Sequence, residues 1–300
     1  LEHRRQRQMC IRDSNYIYEN AKECNKYLTG CNRCPKLNNL NLFNISNKIF
    51  EKKKDFFNKF KPTILLENKF TKSFYENSPV TKNAKNEVIY LPVRESRKNL
   101  IKKDNARKLF DFEISEKILL FGTYNLDAPH KGGRILDEIL SLFVNYCNLK
   151  DLNLLKKNNI RIVTFGRKQG FKINTPQIFW SHLNEIKGDK SLNSLYRCAD
   201  IFISPSTGCN APSTIREASS NHIPVVAFNN GEASEAIKNN VNGHLISNYD
   251  KEKFAKAIFD ILFNKNLYED KKWQELLSLR YSSKTEAEMI IGKAQKDLNY

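Results

Sequence analysis

The apolar positions of this chain fall mainly into short continuous runs, which are separated by glycine, proline and asparagine. Such runs predict buried strands of a parallel sheet, because these strands are covered on both faces. We predict buried strands over residues 117–121, 161–165, 177–181, 201–204 and 224–228.

Segments between and after these strands have apolar residues with a helical period. The predicted helices there cover residues 191–198, 233–239 and 251–263, with another that begins at Pro212 or Ser213. A further helix is predicted over residues 102–112, before the first strand. A turn is predicted at residues 242–244, and a helical tail over residues 273–279 and 286–298. Strands that alternate with helices indicate an α/β, doubly wound, Rossmann-like domain.

The N-terminal part predicts a smaller set of elements. An amphipathic basic helix, or helix pair, covers residues 40–61, and a strand, a helix and a second strand follow at 63–66, 68–76 and 87–91. We favour core packing for the first helix, with a membrane-facing helix as the alternative. Residues 1–14 have no apolar period and no Lys or Asn, so we interpret them as foreign to the fold. A basic nucleic-acid-binding arm is the alternative.

Composition narrows the choice of partners. Fifty Lys and Arg against 33 Asp and Glu give a net charge of +17. The lysines are scattered, which favours a solvated basic surface over a nucleic-acid site and leaves peripheral contact with an anionic membrane as the next alternative. The sequence shows no apolar run that could span a bilayer and no signal-peptide pattern. Seven cysteines without framework spacing suggest a reducing cytoplasm.

Three of these cysteines, Cys24, Cys31 and Cys34, are spaced C-x6-C-x2-C. The C-x2-C part suits tetrahedral zinc, but a structural zinc site needs a fourth ligand. We favour cysteines in a loop without metal, and zinc binding is the alternative.

The densest candidate chemistry follows the strand at residues 201–204. Strand, turn-rich loop, helix and second strand form a unit of about 30 residues, the size of a parallel crossover, in which ligands bind at the carboxyl ends of the strands. The turn Pro212-Ser213-Thr214 would present backbone N–H groups and the helix dipole to an anion. Glu217, one turn later, can accept hydrogen bonds from a ribose diol. A plain helix N-terminus with a first-turn glutamate is the alternative.

A second candidate phosphate site follows the first buried strand of this domain. Gly122-Thr123 ends the strand, and the following loop contains Lys131-Gly132-Gly133. The glycines would allow close backbone approach to a ligand, and Lys131 can pair with a diphosphate as a point charge. A solvated lysine before a helix is the alternative.

Several motifs in order resemble a known family. They are Pro205-Ser206, Asn210-x-Pro212-x-Thr214, Glu217-Ala218, the run Ile223-Pro224-Val225-Val226-Ala227-Phe228, and Asn242-Gly243. Together they resemble the donor-binding half of family-4 type glycosyltransferases of the GT-B fold, most closely the subgroup similar to colanic-acid biosynthesis enzymes. The resemblance covers roughly residues 24–297.

The resemblance implies transfer of a sugar, with retention, from a nucleotide-sugar donor to a glycan or lipid-linked acceptor in cell-surface polysaccharide biosynthesis. It implies a cytoplasmic protein, at the inner face of the plasma membrane, that needs no cofactor or metal and binds no nucleic acid. Lys131 and Glu217 would be catalytic. The substrate-binding residues would be Gly122, Thr123, Cys209, Asn210, Pro212, Ser213 and Thr214.

Two departures from the family pattern qualify this expectation. Cys209 stands where the family has a carboxylate, and a thiol cannot accept hydrogen bonds from sugar hydroxyl groups as a carboxylate does. We divide the chain after residue 95 into a donor domain over 96–280 and a C-terminal helix over 281–300 that packs back on the N-terminal part. The remaining residues, 15–95, are too few for a whole acceptor domain. We therefore expect a truncated chain without turnover. A non-catalytic sugar-nucleotide-binding or scaffold module is the alternative, and net charge alone favours a nucleic-acid binder.

Overall fold

The structure is a computed structural model that describes residues 24–34, 44–90, 101–208, 213–231, 233–264, 272–273, 275–276 and 291–292. Within these ranges no helix has the length and apolar content needed to cross a lipid bilayer. Residues 1–14 lie outside the described ranges, and the interpretation of that segment stays a prediction.

The N-terminal part forms a small unit around two parallel strands. Its elements are a 3₁₀ turn (Lys26–Leu28), helix α1 (Ile45–Phe60), strand β1 (Thr63–Leu66), helix α2 (Lys69–Asn77) and strand β2 (Lys85–Val88). Strand β1 pairs with β2 in parallel, with Thr63 opposite Lys85. Asn68 caps α2, since its Oδ1 accepts from Thr71 N–H at 2.7 Å. Four elements were predicted here, and all four are present.

The larger unit holds the remaining elements. They are α3 (Lys103–Leu109), β3 (Lys117–Asn125), a 3₁₀ turn (Pro129–Lys131), α4 (Gly133–Lys150), α5 (Leu154–Lys157), β4 (Ile160–Arg167), β5 (Phe179–Leu183), α6 (Asp189–Cys198), β6 (Ile201–Ser204), α7 (Ser213–Ser220), β7 (Val225–Phe228), α8 (Ala233–Ala236), β8 (Gly243–Ile246), a 3₁₀ turn (Ser247–Tyr249) and α9 (Lys251–Phe263). The strands form one parallel sheet in the order β5-β4-β3-β6-β7-β8. The predicted α/β fold with a Rossmann-like domain is confirmed.

Alternate residues of the central strands face two apolar clusters on opposite sides of the sheet. Leu120 and Phe202 point to the side covered by α3, α6 and α7, whereas Leu119 and Ile203 point to the side covered by α4 and α9. All four are fully buried, which explains why the strands read as continuous apolar runs. In the described part of the helical tail, Trp273 is buried and donates from Nε1 to Ser219 O at 3.1 Å.

Element bounds in the larger unit need correction. The turn predicted at 242–244 is confirmed at Asn242 and wrong beyond it, because Gly243 begins β8, and a Cβ there would lie 1.9 Å from Val225 O on β7. The glycine therefore allows two strands to approach, which a turn pattern cannot reveal. The strand predicted at 177–181 begins two residues later, since Ile178 N–H donates to Thr175 O in a turn.

Charged residues fix α3 to the amino end of the sheet. The Asp200 carboxylate accepts from the Arg107 guanidinium at 2.8 Å, from Ile118 N–H at 2.6 Å, and from the Lys103 ammonium. Arg107 is 3% exposed and also donates to the carbonyl groups of Cys198, Glu113 and Ile114. The α3–β3 connection is thereby held against α6.

Glu235 of α8 joins the two units. Its Oε1 accepts from the backbone N–H groups of Lys69 at 2.6 Å and Phe70 at 3.3 Å, and its Oε2 accepts from the Tyr90 hydroxyl at 2.9 Å. A carboxylate at the first turn of α2 is favoured by the exposed N–H groups and the helix dipole. One side chain therefore binds the N-terminal unit at two places.

We expect Glu235→Ala to accelerate amide hydrogen exchange at Lys69 and Phe70, because both N–H groups lose their carboxylate acceptor. Charge-assisted bonds of this kind contribute about 1.5–3 kcal/mol each, so the change should exceed tenfold. Glu138→Ala, which removes an exposed carboxylate paired with Lys251, is the control. Unchanged exchange at both amides in the Glu235 variant would contradict the assignment.

Candidate functional site

The centre of the sheet contains a change of strand order. From β3 the chain proceeds outward through β4 to β5, and from β6, which lies beside β3, it proceeds outward in the other direction through β7 to β8. The loops after β3 and β6 therefore leave the same carboxyl edge in opposite directions. In sheets of this topology the resulting crevice is the usual ligand site.

The loop after β3 is fixed by its glycines. Gly132 has φ +82°, and a Cβ there would lie 2.0 Å from Pro205 O in the loop after β6. A Cβ on Gly133 would lie 2.3 Å from Leu126 O. Close backbone approach was predicted for these glycines, but in the structure the approaching group is protein backbone. Their effect is to place Lys131, the residue before them, at the crevice.

Hydrogen bonds tie four loops of this edge together. His130 O accepts from Ser206 Oγ at 2.7 Å and from Thr207 N–H at 3.0 Å. Ser206 O accepts from Nδ2 of the buried Asn230, which follows β7, at 2.6 Å. Tyr249 donates to Thr207 O at 3.1 Å. The segment that leads toward α7 is thus held between the 3₁₀ turn Pro129–Lys131, here called the lysine turn, and the end of β7.

Gly122 also has a packing role. A Cβ on Gly122 would lie 2.0 Å from the ring of Phe165 on the neighbouring strand β4. Phe165 is buried, and its ring meets that of Tyr196 edge-on, with centroids 6.0 Å apart. An aromatic side chain therefore fills the space beside Gly122. The sequence analysis had assigned that space to a ligand. Contact of Gly122 with substrate stays a prediction.

Glu217 lies half-buried in the second turn of α7. Its Oε2 accepts a hydrogen bond from the Tyr196 hydroxyl at 2.8 Å. Tyr196 is fully buried, and burial together with the neighbouring Glu217 raises the pKa of its phenol well above the ordinary value. The phenol therefore remains a hydrogen-bond donor to the carboxylate at neutral pH.

The other predicted site residues occupy different positions along the edge. Ser213 is exposed at the start of α7, Thr214 follows it half-buried, and Thr123 is half-buried on β3. The structure does not describe Cys209, Asn210 and Pro212, so their predicted contacts lie outside the described residues.

The structure places an arginine beside the end of β3 that the sequence analysis did not single out. Arg167 ends β4 after Gly166, and its guanidinium lies 4.7 Å from the centre of the exposed Tyr124 ring. It also donates to Glu185 Oε2 at 3.2 Å. Gly166-Arg167 at the end of a buried run was the sequence signal that could have identified this cation.

The cysteines near the N-terminus form no evident metal centre. Cys24, Cys31 and Cys34 are half-buried, and Cys31 O accepts from Ser46 Oγ at 2.7 Å. Among the residues that the structure describes, no group of three or more His, Cys, Asp or Glu side chains could hold a metal ion.

Comparisons with known proteins agree with this architecture. Residues 151–274 match the family described as Glycosyl transferases group 1. A glycosyltransferase from Rickettsia africae ESF-5 is similar over 82% of this chain and 67% of its own, with TM-score 0.61 and 19% identity. Anabaena Alr3699/HepE, solved with UDP and glucose, is similar over 84% of this chain and 67% of its own, with TM-score 0.60 and 16% identity.

A third structure is longer. The sucrose-phosphate synthase of Thermosynechococcus elongatus is similar over 79% of this chain and 58% of its own, with TM-score 0.59 and 16% identity. This chain therefore spans less than two thirds of that protein. No curated protein matches the sequence. The structural neighbours show that this chain shares their α/β fold, and the family match covers residues 151–274 of it.

Proposed function

We propose that this chain binds a nucleoside-diphosphate sugar at the β3–β6 crevice and serves in transfer of the sugar, with retention, to a glycan or lipid-linked acceptor. The observation that carries the proposal is the position of Lys131 and Glu217 after the two strands at the change of strand order: Lys131 lies in the 3₁₀ turn after β3, and Glu217 lies on α7, the helix that follows β6. We place the reaction in surface polysaccharide synthesis at the cytoplasmic side of the membrane, following the sequence resemblance.

In this proposal each side chain has a distinct task. The Lys131 ammonium and the N–H groups at the start of α7 stabilise charge that develops on the departing diphosphate, which is the main requirement of such a reaction. Glu217 accepts hydrogen bonds from the ribose diol, with Oε2 already held by Tyr196. The resemblance implies that these groups act without a metal. UDP is the first donor nucleotide to test, since Alr3699/HepE was solved with UDP.

We expect Lys131→Ala and Glu217→Ala each to weaken UDP binding by about 10- to 150-fold. Each variant removes a charge-assisted contact worth about 1.5–3 kcal/mol. Isothermal titration calorimetry measures the effect, and Lys156→Ala on α5, before the amino end of β4, is the matched lysine control. Unchanged affinity in both site variants would remove the site assignment.

A non-catalytic sugar-nucleotide-binding module is the second candidate, and Cys209 is the observation that favours it. Both candidates require nucleotide binding, so calorimetry with UDP and GDP against single-stranded RNA first separates them from a nucleic-acid binder. A turnover assay with the corresponding nucleotide sugars, on a chain with its first domain restored, then separates transferase from binding module, because this chain by itself is expected to show no turnover.

A further inference from the structure

We propose that Tyr196 is a positioning residue that holds Glu217 in the orientation needed to recognise a ribose diol. This inference rests on the proposed function, and it assigns a role to a buried residue that does not itself contact the ligand. The two residues are 21 positions apart, on α6 and α7, and meet through one hydrogen bond of 2.8 Å.

Tyr196 has little freedom to move. Its ring is fully buried, meets Phe165 edge-on and lies 5.6 Å, centroid to centroid, from Phe202 on β6. Phe165 in turn fills the space that Gly122 leaves open. The phenol hydroxyl is therefore fixed relative to β3, β4 and β6, the three central strands of the crevice.

Glu217, in contrast, is a long side chain on a helix surface that is only half-buried. A mobile glutamate loses conformational entropy when ligand binding holds it in one rotamer, and this loss lowers the affinity for the ligand. Because Tyr196 donates to Oε2, it restrains the position of that oxygen before the ligand arrives. Preorganisation of this kind raises affinity without adding a ligand contact.

The test is to compare UDP with 2′,3′-dideoxy-UDP, which lacks the hydroxyl groups that Glu217 would bind. We expect Tyr196→Phe to weaken UDP binding about five- to tenfold and to leave the dideoxy nucleotide unaffected. Tyr146→Phe, which removes a phenol from α4 on the opposite side of the sheet, should change neither. A loss of equal size for both nucleotides would show that Tyr196 acts through general packing and would overturn the inference.

A double-mutant cycle keeps the inference testable if Tyr196→Phe also lowers stability. In the Glu217→Ala background, Tyr196→Phe should have no further effect on the Kd for UDP, because the side chain that it positions is gone. Equal effects in both backgrounds would overturn the inference alone. A chain that binds neither UDP nor GDP in the unsubstituted form would overturn the proposed function, and this inference with it.

Discussion

Gly132→Ala is expected to abolish measurable nucleotide-diphosphate binding and to destabilise the fold by about 2–4 kcal/mol. Alanine at φ +82° carries left-handed strain, and its Cβ would lie 2.0 Å from the backbone oxygen of Pro205. The two loops must separate to relieve that contact. Lys131 and the hydrogen bonds to His130 O would then move away from the crevice. Urea unfolding and UDP calorimetry measure the two effects.

Gly188 supplies a control for the steric part of this substitution. It also has a positive φ, +85°, although its ψ of 139° differs from the 7° of Gly132, and no atom lies within 4 Å of a Cβ built there. Gly188→Ala should therefore lose stability only through backbone strain, about 1–3 kcal/mol, and keep nucleotide affinity. If the two alanine variants lose equal stability and equal affinity, the contact with Pro205 is not what makes Gly132 necessary.

Asp200→Ala is expected to lower the free energy of unfolding by about 3–5 kcal/mol. Its carboxylate is the partner of Arg107, whose side chain is 3% exposed, so removal leaves a buried cation without its charge partner. Chemical denaturation measures the loss. Asp151→Ala removes a carboxylate that forms an exposed pair with Lys157 and also accepts from Asn153 N–H at 2.8 Å, and this variant should lose much less stability. Similar losses in both variants would mean that burial of Arg107 is not decisive.

Much of the fold could be predicted because buried parallel strands leave a direct trace in the sequence. Each central strand is a short apolar run that ends at glycine, proline or a polar residue, and 201–204 was predicted to the residue. Strand β8 was missed because its run begins Gly243-His244, and the reason for glycine there is contact with Val225 O on another strand. A single sequence does not show which atoms approach a glycine.

The candidate site, like the fold, could be predicted only in part from the sequence. Lys131 and Glu217 were predicted as site residues because each follows a predicted strand by a short interval, which topology converts into a position at the carboxyl edge, and their contact with a ligand stays a prediction. Tyr196 and Arg107 were not assigned their roles, because their partners Glu217 and Asp200 lie 21 and 93 positions away along the chain. Such pairs are determined by how elements pack, and periodicity carries no information about them.

The pairing of β3 with β6 also has a consequence for the order in which this site can form. Leu119 lies opposite Ile201, so the two strands that flank the crevice pair across a sequence separation of 82 positions. Strands β3, β4 and β5 can associate earlier on the ribosome, whereas contacts of large sequence separation form slowly. The crevice is therefore a late product of folding, and a nascent chain that stops before β6 has the lysine turn but no binding site.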